Sequence, residues 1–193
     1  MREFLFTEFK MDLKETCIDS TAVYDGCLLH ARRDNVRLPD GRVGIREYIT
    51  HPGAVAVIAL LDNGNLIMER QYRYAAQREF IEIPAGKIDP DEDILVTGQR
   101  ELLEETGYVA SDWMHLTTTF ACIGYGDEQI HYFLARGLTL QQRNLDDGEM
   151  LEVFELSLAD ALEWVRSGKI NDSKTIIGLL WLDKYLNDWE NRQ

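Results

Sequence analysis

Residues 86–108 read GKIDPDEDILVTGQRELLEETGY, and the rest of the chain is best read outward from them. The spacing of Ile94, Leu95, Leu102 and Leu103 predicts a helix over Asp91 to Thr106, and Gly107 ends it, as a glycine just past a helix commonly does. Glu101, Glu104 and Glu105 stand at i, i+3 and i+4, on one face of that helix. Like charges so placed destabilise an isolated helix by roughly a few tenths of a kcal/mol per pair. A bound divalent cation reverses that cost. Carboxylate oxygens are hard donors and suit Mg²⁺ or Mn²⁺ rather than zinc. A bare acidic face is more often simply solvated, so these three glutamates do not decide the matter alone. Gly98 sits inside the helix at a cost of roughly 1 kcal/mol relative to alanine, which close packing on a sheet would explain.

Upstream, Ala54 to Leu61 is an apolar run that predicts a buried strand. Asp62-Asn63-Gly64-Asn65 reads as a hairpin turn, and Leu66 to Tyr72 as the returning strand. Phe80 to Ile83 is a short strand running into Pro84-Ala85-Gly86. Before residue 50, Val23 to Ala31 and Val43 to Ile49 read as strands split by a turn at Leu38-Pro39-Asp40-Gly41. Downstream, strands are expected around Met114–Cys122, Ile130–Ala135 and Leu151–Leu156. Helices are expected over Ser157–Ser167 and Ser173–Asn187. This order indicates an α+β protein, a mixed sheet between helices, with a small antiparallel β subdomain over residues 1–50 and a main domain over 51–193.

The chain has 193 residues, 45% of them hydrophobic, enough for a substantial core without disulfide staples. Its three cysteines, Cys17, Cys27 and Cys122, are scattered, with no CxxC or Cys/His cluster, which argues against a zinc site. The amino-terminal residues carry frequent charges and no signal-peptide core, and no apolar run approaches bilayer length. A cytoplasmic protein with no membrane partner is the expectation. The formal net charge of −14 disfavours nucleic-acid partners. It would also repel an anionic substrate, unless metal and a few placed arginines supply local positive charge.

The full pattern is Gly86-x5-Glu92-x7-Arg100-Glu101-x2-Glu104-Glu105-x-Gly107, followed by apolar Tyr108. It resembles the Nudix box at every fixed position. The resemblance implies the Nudix fold and a loop–helix–loop in which Gly86 lets the chain turn from strand to helix. It implies Mg²⁺ (Mn²⁺ as a substitute) bound by Glu101 and Glu105 first and Glu104 second, together with the Ala85 carbonyl. Glu104 is also carried over as a catalytic residue. Glu92 is expected to stabilise the loop and Arg100 to pair with an acid of the motif.

Residues outside the box resemble the ADP-ribose pyrophosphatase branch of the family. These are Arg70-Gln71-Tyr72-Arg73, Glu79 to Asp89 with its Pro84-Ala85-Gly86, Arg46-Glu47-Tyr48, Gly124 to Glu128, and Asp172-Ser173-Lys174-Thr175. That branch implies Arg73 on a substrate phosphate, Glu82 at the metal and phosphate site, and a homodimer in which the amino-terminal subdomain crosses to the partner. Arg46 and Tyr48 could then reach the active site, as substrate contacts with Tyr48 stacking on adenine, or the partner. The base for the attacking water is expected on the acidic loop Leu145 to Val153, with Glu149 the first choice and Asp147 the reserve. The implied reaction is hydrolysis of a small-molecule nucleotide, ADP-ribose, to AMP and ribose 5-phosphate. Alternatives are hydrolysis of another nucleoside diphosphate sugar such as GDP-mannose, an mRNA-decapping role, which the acidic surface weakens, and a non-catalytic ADP-ribose sensor. An intact box and the lack of a basic helix-turn-helix weigh against the sensor.

Overall fold

The computed structural model describes residues 12–143, 145 and 150–189. Strands β1 (Thr16–Asp25), β2 (His30–Arg37) and β3 (Val43–Thr50) form an antiparallel sheet in the order β1-β2-β3. The single strand expected over Val23–Ala31 is not formed. The chain reverses there, with the Gly26 amide donating to the Leu29 carbonyl (2.9 Å). Leu28 and Leu29 had lengthened the apparent apolar run, but they are exposed residues of the turn between β1 and β2. The second reversal is where Leu38-Pro39-Asp40-Gly41 places it. Gly41 takes φ 88° and the Asp40 carboxylate accepts from the Arg42 amide (3.0 Å). The segment Cys122–Asp127 joins this compact unit: the Ile49 amide donates to the Tyr125 carbonyl (2.9 Å) and the His51 amide to Asp127 (2.8 Å). Every residue of β1 is exposed, and so are the apolar Val43 and Ile45 of β3.

The second compact unit begins at Pro52. Its strand β4 (Ala54–Ala59) is buried on both faces from Val55 to Ala59. Next come β5 (Asn65–Arg73), β6 (Arg78–Glu82), β7 (Ala85–Lys87) and helix α1 (Ile94–Glu101). Strands β8 (Tyr108–Phe120), β9 (Gln129–Leu140) and β10 (Leu151–Ser157) precede α2 (Leu158–Arg166) and α3 (Ser173–Lys184). One mixed sheet has the order β7-β4-β9-β8. Only β4 and β9 run parallel in it, with Val57 opposite Phe133. Ala56 and Ile58 point into a core closed by α2 and α3 residues such as Leu162, Leu179 and Leu182. Val55, Val57 and Ala59 point the other way, towards Ile94, Leu95 and Leu102. The mixed sheet therefore lies between helices, as the α+β reading requires.

The hairpin expected between β4 and β5 closes only at its tip. The Leu61 amide donates to the Asn65 carbonyl (2.9 Å), Gly64 takes φ 85°, and one bridge joins Leu60 to Leu66. Beyond that point β5 leaves β4 and pairs on both sides with β10 and β6 in a second, antiparallel sheet. Leu66 to Glu69 are consequently buried on both faces, which the apolar run could not distinguish from a two-stranded return.

Two close approaches fix the helices on the sheet. A Cβ at Gly98 of α1 would stand 3.1 Å from Val55 Cγ1 and 3.4 Å from Trp113, and one at Gly178 of α3 would stand 2.9 Å from Ile83 Cδ1. At the start of α3, buried Thr175 accepts from the Ile83 amide (3.0 Å) and donates to the capping carboxylate of Asp172 (2.7 Å). The Ile83 amide follows β6 and depends on this hydroxyl. Thr175→Val keeps the shape but removes the acceptor, so stability should fall by about 1–3 kcal/mol. Urea unfolding of the variant measures this, and an unchanged midpoint would refute the role given to the hydroxyl.

Candidate active site

The box helix is assembled around one guanidinium. Asp93 caps α1 by accepting from the Leu95 amide (2.9 Å). Just before it, Glu92 accepts from the Thr97 hydroxyl (2.8 Å) and from both Arg100 Nε and Nη2 (3.0 Å each). Arg100 Nη1 also reaches Glu101 (2.8 Å) and Glu104 (3.0 Å), and Nη2 reaches the Lys87 carbonyl (3.1 Å). The hydrogen bonds from Arg100, then those from Thr97 and the Asp89 amide, outweigh desolvation and hold the Glu92 carboxyl at about 2, against an ordinary 4.5.

The helix does not continue as an α-helix to Thr106. From Leu102 to Thr106 it widens into a π turn, which Gly107 ends at φ 79°. Glu104 and Glu105 lie within that turn, a kind of bulge that often accompanies functional sites. Glu105 is 3% exposed, and its carboxylate accepts from the Ala85 amide (2.9 Å). Glu101 lies over the neighbouring residue: a Cβ built on Gly86 would fall on its carboxylate. The role expected of Gly86 is thereby revised. It is a residue of β7, absent from the glycines with positive φ, and what it provides is room for Glu101 and not a turn.

Box carboxylates thus meet β7 at both Ala85 and Gly86. The donor set is hard oxygen, suited to Mg²⁺ or Mn²⁺, and the space above Gly86 is what a Glu101 ligand needs. Among the described residues no three acidic, His or Cys groups converge in ligand geometry; Glu101 and Glu104 turn an oxygen each towards Arg100 instead.

A second charged group lies at the ends of β5 and β6. Arg73 donates from Nε and Nη2 to the two oxygens of Glu82 (2.7 Å each), and Lys174 of α3 binds the same carboxylate. Lys174 also reaches Asp172 (3.0 Å). Burial pushes the Glu82 carboxyl up, but the Arg73 hydrogen bonds and the Lys174 charge prevail and hold it below the usual range. The hydrogen bonds to Glu82 keep Arg73 charged, and Glu105 and Asp172 add to this through space. Glu82, the partner of Arg73, stands three residues before Ala85, whose amide binds Glu105, so this group adjoins the box. Arg73, Glu82, Asp172 and Lys174 line a cavity of about 230 Å³ with Ala75, Ala76 and Phe80.

Sequence reasoning gave Lys174 no role and missed buried Glu69, which stands opposite Glu82 in the sheet register. A charge inside the apolar run from Leu66 was the available signal for Glu69. The signal at Lys174 was the Asp172–Thr175 run that resembles the branch; its meeting with Glu82 comes only through the fold.

Arg46 and Tyr48 belong to the amino-terminal unit. Arg46 pairs with Glu15 and donates to the Ile45 carbonyl (2.9 Å), and Tyr48 donates to the buried carboxylate of Asp34 (3.1 Å). Glu149 and Asp147, the expected bases, lie outside the described residues. Glu152 is on β10 and accepts from Arg70 (3.0 Å).

Residues 50–176 match the model of the NUDIX domain. The chain belongs to the Nudix family. Residues 15–49 match the nucleoside diphosphate sugar hydrolase N-terminal domain, so both units of this Nudix pyrophosphohydrolase have family counterparts. An ADP-ribose pyrophosphatase of Bacillus subtilis is 40% identical over 88% of this chain and 93% of its own length. A methanol dehydrogenase activator of Bacillus methanolicus is 38% identical over 88% of this chain and 92% of its own. A crystal structure of an ADP compounds hydrolase superposes with TM-score 0.80 at 21% identity, covering 90% of this chain and 94% of that one, a likeness of fold.

Two outcomes follow for this Nudix site. Gly86→Ala suits a strand but displaces Glu101. It should lower kcat about a hundredfold, the order expected of a misplacement of about 1 Å, with little change in melting temperature. A kcat near that of the parent would contradict the tight fit. Glu92, with its carboxyl depressed in the fold, stabilises the protein fully above about pH 4.5 and loses that contribution as pH falls towards 2. Unfolding measured across that window should show a shallower acid slope in Glu92→Gln; an identical slope would remove Glu92 from the acid transition.

Proposed function

We propose that this protein hydrolyses the pyrophosphate of ADP-ribose, in a Mg²⁺-dependent reaction, to AMP and ribose 5-phosphate. The observation that carries the reading is the docking of box carboxylates on β7, Glu105 on the Ala85 amide and Glu101 above Gly86, with Glu82, the partner of Arg73, three residues before Ala85. Similarity to an ADP-ribose pyrophosphatase over most of both chains supports the choice of substrate. The equally extensive similarity to a methanol dehydrogenase activator makes that choice one to be tested.

Glu101 and Glu105, then Glu104 and the Ala85 carbonyl, would hold the metal. Bound there, Mg²⁺ supplies charge neutralisation for the diphosphate and a water of lowered pKa. Arg100 orients Glu101 and Glu104, and Arg73 meets a phosphate. Water adds to one phosphorus, the bond to the bridging oxygen breaks, and the other phosphate leaves as a monoester. Glu149 takes the proton from the water. Arg46 and Tyr48 are proposed as substrate contacts of the dimer, Tyr48 by stacking on adenine.

The amino-terminal sheet is proposed as a dimerisation module. Ile18, Val23, Tyr24, Val43 and Ile45 are exposed on a sheet of three strands, and exposed apolar surface of this kind supports an interface there. Assembly of two chains through this sheet would give the homodimer expected of the branch.

Mg²⁺-dependent hydrolysis measured across ADP-ribose, NADH, GDP-mannose and diadenosine polyphosphates tests the function. ADP-ribose should give the highest kcat/KM, and Glu105→Gln should lower kcat by about two orders of magnitude or more with the fold intact. A preference for GDP-mannose would replace the substrate, and a silent panel would favour a sensor.

A further inference from the structure

Glu82 is held by two cations that are not equivalent. Its side chain is 4% exposed, that of Lys174 13% and that of Arg73 45%. A carboxylate this enclosed is costly to leave without a counter-ion. Lys174 is fixed from behind by Asp172 (3.0 Å), which caps α3 and binds the Thr175 amide (3.0 Å) and hydroxyl (2.7 Å). That hydroxyl in turn takes the amide of Ile83, next to Glu82 in the chain (3.0 Å). Lys174 is thus held between Glu82 and a second carboxylate that is itself fixed at the start of the helix. Arg73 is the last residue of β5, half exposed, and lines the cavity of about 230 Å³; among the described residues the hydrogen bonds of its side chain go to Glu82.

We propose that Lys174 is a positioning residue, the permanent counter-ion of Glu82, and that its presence lets Arg73 exchange Glu82 for a phosphoryl group of the substrate. The proposal rests on the reading of Arg73 as the phosphate contact given above. With Lys174 in place, Glu82 stays paired when the guanidinium turns towards an anion. Without it, each release of Arg73 strands a buried carboxylate, and the fraction of protein with Arg73 available falls. Apparent affinity for the anion falls by the same factor. The chemical step does not involve Lys174, so the effect belongs in binding and not in turnover.

The test compares the parent protein with Lys174→Met and Lys174→Arg. Two readouts are taken: KM and kcat on the best substrate, and calorimetric affinity for inorganic pyrophosphate with Mg²⁺ present. In Lys174→Met, KM and the pyrophosphate Kd should each rise roughly tenfold with kcat within about threefold, and Lys174→Arg should restore both. A rise below twofold, a loss confined to kcat, or failure of the arginine to restore binding overturns the proposal. Should Lys174→Met not fold, Lys174→Gln is read by the same criteria. If the parent hydrolyses none of the nucleotides, the ADP-ribose reading fails, and pyrophosphate affinity alone decides the role of Lys174.

Discussion

The site depends first on the Arg100 guanidinium. Four acids of the box crowd one short helix and the loop before it, an arrangement that repels itself without compensation. Arg100 joins three of them, Glu92, Glu101 and Glu104, and anchors the set to β7 through the Lys87 carbonyl. Its Glu92 arm is structural, closing the loop before α1. Its Glu101 and Glu104 arms hold the proposed ligands at a fixed distance from that loop. The fourth acid, Glu105, is left to the Ala85 amide. The division is electrostatically sensible: the most buried carboxylate, Glu105, takes a backbone donor, and Glu101 and Glu104 take a charge that a stronger cation can compete with.

Sheet architecture supplies the surface this helix needs. Strand β4 is covered on both faces, so it must be apolar throughout, and α1 can lie on it closely only because Gly98 has no side chain. Gly86 performs the same service one strand over, for a carboxylate instead of a helix. The π turn at Leu102–Thr106 then lets two consecutive glutamates take different environments, Glu104 towards Arg100 and Glu105 into the sheet. None of these three features is chemical in itself, yet each decides where an oxygen atom stands.

Much of this was legible in the chain. The period of the box helix, its glycine stop and the apolar run at Ala54–Leu61 all follow from local physics and are present. What escaped depends on distant segments. Leu28 and Leu29 look like strand residues because apolar side chains mark strands, whereas the backbone turns beneath them. The return of β5 looks like a hairpin because the signal at Asp62–Asn65 is local, while β10 and β6, which take it away from β4, are not. Gly86 was read for its backbone freedom when its value is the absence of a Cβ. The pairing of Glu82 with Lys174 has no local signature at all, since the two lie 92 residues apart.

That separation bears on when the site comes into being. The box, β7 and Arg100 are close in sequence and can organise early. The ion cluster beside them needs α3, the last α-helix described, whose first turn carries Asp172, Lys174 and Thr175. Contacts of such long range form slowly, because chain entropy is lost before they reward it. During synthesis, a ribosome-bound chain would therefore display a complete Nudix box while Glu82 still lacked its lysine and the Ile83 amide its hydroxyl. Assembly of this ion cluster waits for the segment that carries α3.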